Sequence, residues 1–159
     1  GAEKAWTEAI RMTRAKGPGG ATHEDSHAYY EMICLLEERG DDIGPLLGEA
    51  LALFPYDYLF VWTRAKALAR DGRFEEAARI FESLLSIDID TLTGPLAFNS
   101  RIFGELSHEP LAACYFKLGL LAESEAHYAR ALELDPENTE YKTKLMLVRA
   151  MLGRAKSTA

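Results

Sequence analysis

The stretch that decides the fold is Ala112–Asn138, which reads AACYFKLGLLAESEAHYARALELDPEN. Apolar residues recur at helical spacing on both sides of Gly119, and glycine is the residue that most often ends a helix. Pro136 closes the segment, because a helix does not continue through proline. The stretch therefore predicts two helices joined by a glycine turn, the second running from about Ala122 to Leu134.

The composition of the whole chain agrees with this prediction. Of the 159 residues, 23 are Ala and 22 are Leu, whereas two are Val and seven are Ile. Ala and Leu favour helices and β-branched residues favour strands, so the composition predicts an all-α protein. The length and the hydrophobic content of 48% are typical of one folded soluble domain.

Two further glycines, Gly72 and Gly40, stand in phase with Gly119 and end predicted helices of their own. Helical hairpins are thus predicted over residues 26–55, 58–91 and 105–138, with an insertion between residues 88 and 106. The predicted fold is an α-solenoid of about three hairpins. It has an N-terminal helix and Gly/Pro linker over residues 1–20, a repeat domain over 21–159 and a capping helix over 139–153.

The hairpin over 105–138 resembles the tetratricopeptide repeat, a helical hairpin of about 34 residues. The matching residues are Leu111, Ala112, Tyr115, Gly119, Tyr128, Ala131 and Pro136. Ser124 stands where the family usually has Ala, and His108 stands where it prefers Trp. The resemblance implies close helix contacts at the small residues and a concave groove lined by the first helix of each hairpin.

The resemblance also implies a function, namely non-catalytic binding of a protein or peptide in this groove. The predicted groove residues are Tyr30, Trp62, Lys66, Arg70, Glu109, Phe116 and Lys117. Trp and Arg are common anchors of protein interfaces. For Trp62, packing against a neighbouring hairpin is an equally favoured alternative. A homodimer formed through the repeats is a second alternative.

The spacing of the hairpins also resembles the repeat region C-terminal to the catalytic domain of some bacterial family 2 glycosyltransferases. The segments that carry this resemblance are Ala50–Pro55, Gly72–Ala77 and Leu111–Gly119. It implies an upstream catalytic domain, with residues 1–16 as the connecting helix. The chain opens without Met, which suggests a processed or excised fragment, and Gly1-Ala2 is consistent with a cloning remnant.

Two motifs suggest catalysis. Residues His23 to His27 match H-E-x-x-H, so a metal-dependent hydrolase with His23 and His27 as ligands is an alternative function. A helix start is the favoured interpretation, because Thr22 can cap and two acidic residues suit the first turn. Asp88-Ile89-Asp90 matches the D-x-D of glycosyltransferases, but we interpret it as a solvated helix end.

The charge and the cysteine content limit the kinds of partner and the cellular location that we expect. The net charge is −7, and residues 21–57 carry −8, which argues against nucleic-acid binding. Two cysteines, Cys34 and Cys114, form no disulfide framework and suit a reducing, cytoplasmic location. The sequence has no apolar run of membrane-spanning length and no phosphate-binding loop, so we predict neither a membrane segment nor a cofactor. We interpret His127 as a half-buried packing residue.

Overall fold

The computed structural model describes residues 1–92 and 100–157. Within those residues all regular structure is helical, which confirms the predicted all-α class. The α-helices are α1 (Ala2–Lys16), α2 (His23–Arg39), α3 (Gly44–Leu53), α4 (Tyr58–Arg70), α5 (Phe74–Leu85), α6 (Glu105–Lys117), α7 (Leu121–Leu134) and α8 (Thr139–Ser157). Two short 3-10 helices span Ile89–Thr91 and Ser100–Phe103.

The helices divide into two compact units, Gly1–Val61 and Trp62–Ala159, with the boundary inside α4. In the first unit α2 packs against α1 and α3. In the second unit α5, α6, α7 and α8 pack in chain order, each against the next. The predicted division at residue 20 stays a prediction, although α1 is part of the first unit. No helix in the described ranges has the length and apolar character needed to cross a membrane.

The three in-phase glycines end helices as the sequence predicts. Gly40, Gly72 and Gly119 have φ angles of 75°, 79° and 79°, the left-handed region that side chains disfavour. At each of them two backbone hydrogen bonds close the helix. After α6, for example, the Gly119 N–H donates to Phe116 and the Leu120 N–H donates to Tyr115. The same turn chemistry recurs three times, so the repeat is a repeat of structure as well as of sequence.

The small residues of the repeat lie where the helices touch. Ala65, Ala77, Ala112 and Ala131 are all fully buried. Ser124, which replaces the usual Ala, is also fully buried, and its hydroxyl donates to the Ala112 carbonyl over 2.8 Å. Because the hydroxyl finds an acceptor on the neighbouring helix, Ser fits a position where a buried polar group would otherwise be destabilising.

One helix boundary differs from the prediction. The capping helix α8 continues through Gly153 to Ser157, whereas the sequence predicts a capping helix over 139–153. A glycine inside a helix lowers its stability by about 1 kcal/mol but does not end it unless the chain must turn there. The insertion over 88–106 holds both 3-10 helices, and its residues 93–99 lie outside the described part of the chain.

Candidate protein-binding surface

The predicted groove residues of α4 lie at the start of the second unit. Trp62 is half-buried, and its indole Nε1–H donates to the carbonyl oxygen of Leu106 over 2.7 Å. The Lys66 ammonium lies 3.9 Å from the centre of the Trp62 ring, a cation–π distance. Trp62 thus joins α4 to the start of α6 and presents one ring face to Lys66. Arg70, one turn beyond Lys66 on α4, is exposed.

The Leu106 carbonyl can accept this bond because of Pro110. In a regular helix the carbonyl of residue 106 would accept from the N–H of residue 110, four positions later. Pro110 lies inside α6 and has no N–H to donate. Trp62 supplies the missing donor from another helix. The sequence signal for this contact is a proline within a predicted helix, which leaves one carbonyl without its usual partner.

Glu109 joins α6 to α8. Its carboxylate pairs with the Lys144 ammonium over 2.5 Å, and Lys144 also pairs with Glu140 over 2.6 Å. Burial alone would lower the pKa of Lys144, but its hydrogen bonds to the two carboxylates outweigh burial and raise that pKa. Lys144 is therefore charged at every physiological pH, and Glu109 already has a partner inside the unit.

Phe116 and Lys117 are the last two residues of α6, and their side chains lie in different environments. Phe116 is half-buried against the core cluster of Ala112, Tyr128, Leu145 and Val148, so it holds α6 to α7 and α8. Lys117 is exposed in the last helical turn, where a cation is favourable. Arg70 and Lys117 are therefore exposed, whereas Lys66 and the aromatic members of the predicted set are half-buried.

Tyr30 belongs to the first unit and packs there. Its ring lies 6.5 Å from that of Phe60, centre to centre. Burial, followed by a hydrogen bond with Cys34, raises the pKa of Tyr30 to about 12. Tyr30 is thus a neutral packing residue with a polar tip.

The H-E-x-x-H motif lies at the start of α2. Thr22 precedes the helix, and the Asp25 carboxylate accepts its backbone N–H over 2.7 Å. Lys16 of α1 also bonds Asp25, and this bond, together with that of Thr22, lowers the pKa of Asp25 to about 2. Asp25, which occupies a variable position of the motif next to Glu24, thus caps the helix, and the motif lies at a helix start as the sequence suggests. The side chain of His27 is 73% exposed.

Metal-binding residue types do not converge in the described ranges, where no three His, Cys, Asp or Glu side chains form a group that could hold an ion. The D-x-D motif serves a local turn, since the Asp88 carboxylate accepts the Asp90 N–H over 3.1 Å. These contacts give Asp25 and Asp88 structural roles at helix starts.

One pair of contacting residues in the second unit is not predicted from the sequence. The Nδ1 atoms of His108 on α6 and His127 on α7 lie 2.9 Å apart, so one ring donates to the other. The rings are half-buried, and the ring of Tyr115 lies 5.5 Å from that of His127. Burial is the main cause that lowers both pKa values, that of His108 to about 4. His127 is a half-buried packing residue, as the sequence predicts, and its partner His108 is not predicted.

Comparison with known proteins supports a repeat fold. The family model of the tetratricopeptide repeat matches residues 111–138. Among solved structures, the chain is similar to the C-terminal TPR-containing domain of a Plasmodium falciparum protein described as an FK506-binding protein. The two chains are 14% identical, with a TM-score of 0.50 over 98% of this chain and 93% of the other. No curated protein matches the sequence.

The likeness to the solved domain shows a shared fold. The family match falls on the hairpin of α6 and α7, the segment from which the repeat was read in the sequence. Residues 111–138 are therefore similar to a tetratricopeptide repeat, in a chain whose described residues form helical hairpins.

Proposed function

We propose that this chain is a non-catalytic module that binds an acidic peptide segment of a partner protein through the first helices of its second unit. The observation that carries the proposal is a set of basic side chains, half-buried Lys66 and exposed Arg70 and Lys117, on the same helices as half-buried aromatic rings. Tetratricopeptide repeats are generally protein-interaction modules, which agrees with this assignment.

The acidic character of the ligand follows from the charges at this surface. Lys66 and Arg70 are four residues apart and so project from the same face of α4. Trp62 lies four residues before Lys66, and its ring is already covered on one side by the ammonium. A peptide with carboxylates beside an apolar residue would pair with the two cations and cover the remaining edge of the ring.

Charge reversal tests the proposal without disturbing the core. Peptides selected by display against the full chain should be rich in Asp and Glu. Their affinity should fall at least about tenfold in the variant Lys66→Glu/Arg70→Glu. The matched control is Arg79→Glu/Arg130→Glu, which reverses two exposed cations on the second helices α5 and α7. Equal binding by both variants, with unchanged helicity, would overturn the proposal.

We also propose that the chain is the accessory repeat region of a bacterial family 2 glycosyltransferase, located in the cytoplasm. Support comes from the sequence resemblance over Ala50–Pro55, Gly72–Ala77 and Leu111–Gly119. The test is the gene sequence upstream of residue 1. A nucleotide-binding sheet with its own D-x-D motif is expected there, and a different domain at that place would dispose of the idea.

A further inference from the structure

The outer face of α8, defined by Met146, Leu147 and Ala150, is apolar and exposed. Met146 is 70% exposed and Leu147 is 53% exposed. The opposite face of the same helix holds the buried residues Tyr141, Leu145 and Val148. α8 therefore has large apolar residues on both sides. A helix whose outer side only faces water usually has polar residues on that side.

The repeat period explains the place of this face. The last hairpin starts at Glu105, and α8 starts 34 residues later at Thr139, so Met146 occupies the position of Ala112. Ala112 is fully buried under α7, and its carbonyl accepts the Ser124 hydroxyl of that helix. In the described part of the chain no second helix follows α8. The outer face of α8 is thus the side on which a hairpin's second helix packs.

Charges flank this face on one side. Lys142 and Lys156 are both exposed, and their spacing of 14 residues places them along the same edge of the helix. Of the other three cations of this region, Lys144 pairs with Glu109 and Arg149 pairs with Glu125. Residues 139–159 carry five basic residues and one acidic residue, a net charge of +4. Pairing of two α8 helices would bring like charges together, whereas an acidic helix would be attracted.

We propose that the outer face of α8 binds an acidic amphipathic helix of a partner protein, on the side where the second helix of a hairpin packs. Apolar residues of the partner would cover Met146 and Leu147, and its carboxylates would pair with Lys142 and Lys156. This surface is separate from the one on α4 and α6, so the inference does not rest on the proposed function.

The chain supplies a probe for the test. A synthetic peptide of residues 121–134 reproduces α7, the helix that covers Ala112, and carries three Glu and one Arg. Titrated into the full chain, it should shift the NMR signals of α8 and bind with a Kd below about 1 mM. The same peptide with its three Glu replaced by Lys should bind at least about tenfold more weakly.

Variants test whether the peptide binds to the outer face of α8 and not to the surface on α4 and α6. Met146→Ser/Leu147→Ser should abolish the shifts, and Lys142→Glu/Lys156→Glu should weaken binding about tenfold. The matched control is Leu120→Ser, which removes an exposed apolar side chain at the start of α7. Lys66→Glu/Arg70→Glu should leave this binding unchanged, so failure here is distinguishable from failure of the proposed function. Circular dichroism shows whether each variant folds.

Several results would overturn the proposal. One is a peptide that gives no shifts in α8, or shifts that survive Met146→Ser/Leu147→Ser. Another is a homodimer in sedimentation analysis that the same substitutions dissociate, which would make a second copy the occupant. Preferential binding of vesicles containing phosphatidylserine would assign the face to a membrane surface. A gene that continues past residue 159 with a helix of the α7 pattern would make the chain cover its own face.

Discussion

The indole N–H of Trp62 donates to the carbonyl of Leu106 over 2.7 Å, a bond between residues 44 positions apart. The Leu106 carbonyl lacks its usual helical donor because Pro110 has no N–H. A proline that would weaken α6 is thus compensated by a tryptophan on α4. Trp62 and Pro110 are therefore coupled through the Leu106 carbonyl. Trp62 has this structural role in addition to any role in binding.

Replacing Trp62 by Phe should lower the free energy of unfolding by about 1–3 kcal/mol, because the Leu106 carbonyl is then left without a donor. Pro110→Ala restores a backbone N–H at that place, so it should reduce the loss that Trp62→Phe causes. Urea denaturation of the two single variants and the double variant measures this coupling. Trp6→Phe, on a half-buried Trp of α1, is the matched control. Strictly additive effects would contradict the relationship.

Ser124 offers a test of the close contact between α6 and α7. Ser124→Ala restores the residue that the family usually has and should change stability by less than about 1 kcal/mol, since no buried donor is left unpaired. Ser124→Leu should destabilise the protein by at least about 2 kcal/mol, because the fully buried site has no room for a larger side chain.

Ser83 of α5 provides the comparison for that experiment. It is exposed, and Ser83→Leu should alter the unfolding free energy by no more than about 0.5 kcal/mol. Thermal and urea unfolding both report the difference. A Ser124→Leu variant as stable as Ser83→Leu would mean that the two helices do not pack as closely as the structure shows.

The sequence was sufficient for features that depend on local spacing. Gly40, Gly72 and Gly119 are visible as in-phase helix ends, because a left-handed turn selects glycine wherever it occurs. Contacts between helices are harder to predict, since they depend on side-chain direction as well as period. His108 and His127 lie on different helices, and nothing in their spacing of 19 residues predicts that their Nδ1 atoms meet.

The site itself was predicted in part. The predicted hairpins place Trp62 and Phe116 on first helices, but the sequence does not show how much of each ring is buried by packing. Pro110 is the one local signal that the structure makes interpretable, because it exposes the Leu106 carbonyl to a donor from elsewhere. The extension of α8 past Gly153 is not predicted, because the repeat pattern places a helix-ending glycine at that position.

In the first unit, Glu49 of α3 bonds side chains from two other helices. Its carboxylate pairs with two guanidinium nitrogens of Arg14, Nε and Nη2, at 2.7 and 2.8 Å, and it accepts a hydrogen bond from the Tyr29 hydroxyl at 2.8 Å. Glu49→Gln keeps an acceptor for Tyr29 but removes the charge pair. It should destabilise the unit by about 1 kcal/mol, a value reduced by the exposure of Arg14.

The matched control for Glu49 is Glu8→Gln. Glu8 pairs with Arg11 in a similar geometry, but both side chains are more than half exposed and lie on one helix. Its loss should leave the urea midpoint unchanged. If the two Gln variants unfold at the same urea concentration, Glu49 does not hold the three helices together.

The last prediction concerns acid sensitivity at the pair of His108 and His127. In the folded protein burial holds the pKa of His108 near 4, below the ordinary value of 6.5. The charged groups that bear on His108 are Arg130, Glu105 and Glu133, and Glu82 bears on His127. Between pH 6.5 and 4 the unfolded chain therefore binds more protons than the folded one, so stability falls as pH falls through that window.

His108→Phe removes the group and keeps an aromatic ring at a position where the family prefers Trp. The unfolding free energy of this variant should decline less between pH 6.5 and 4 than that of the parent chain. His23→Phe, at the start of α2, is the control for losing a histidine elsewhere, and it should retain the steep decline. Carboxylates titrate in both proteins, so the difference between the two pH profiles isolates the histidine. Parallel profiles for His108→Phe and the parent would show that the buried pair does not resist protonation.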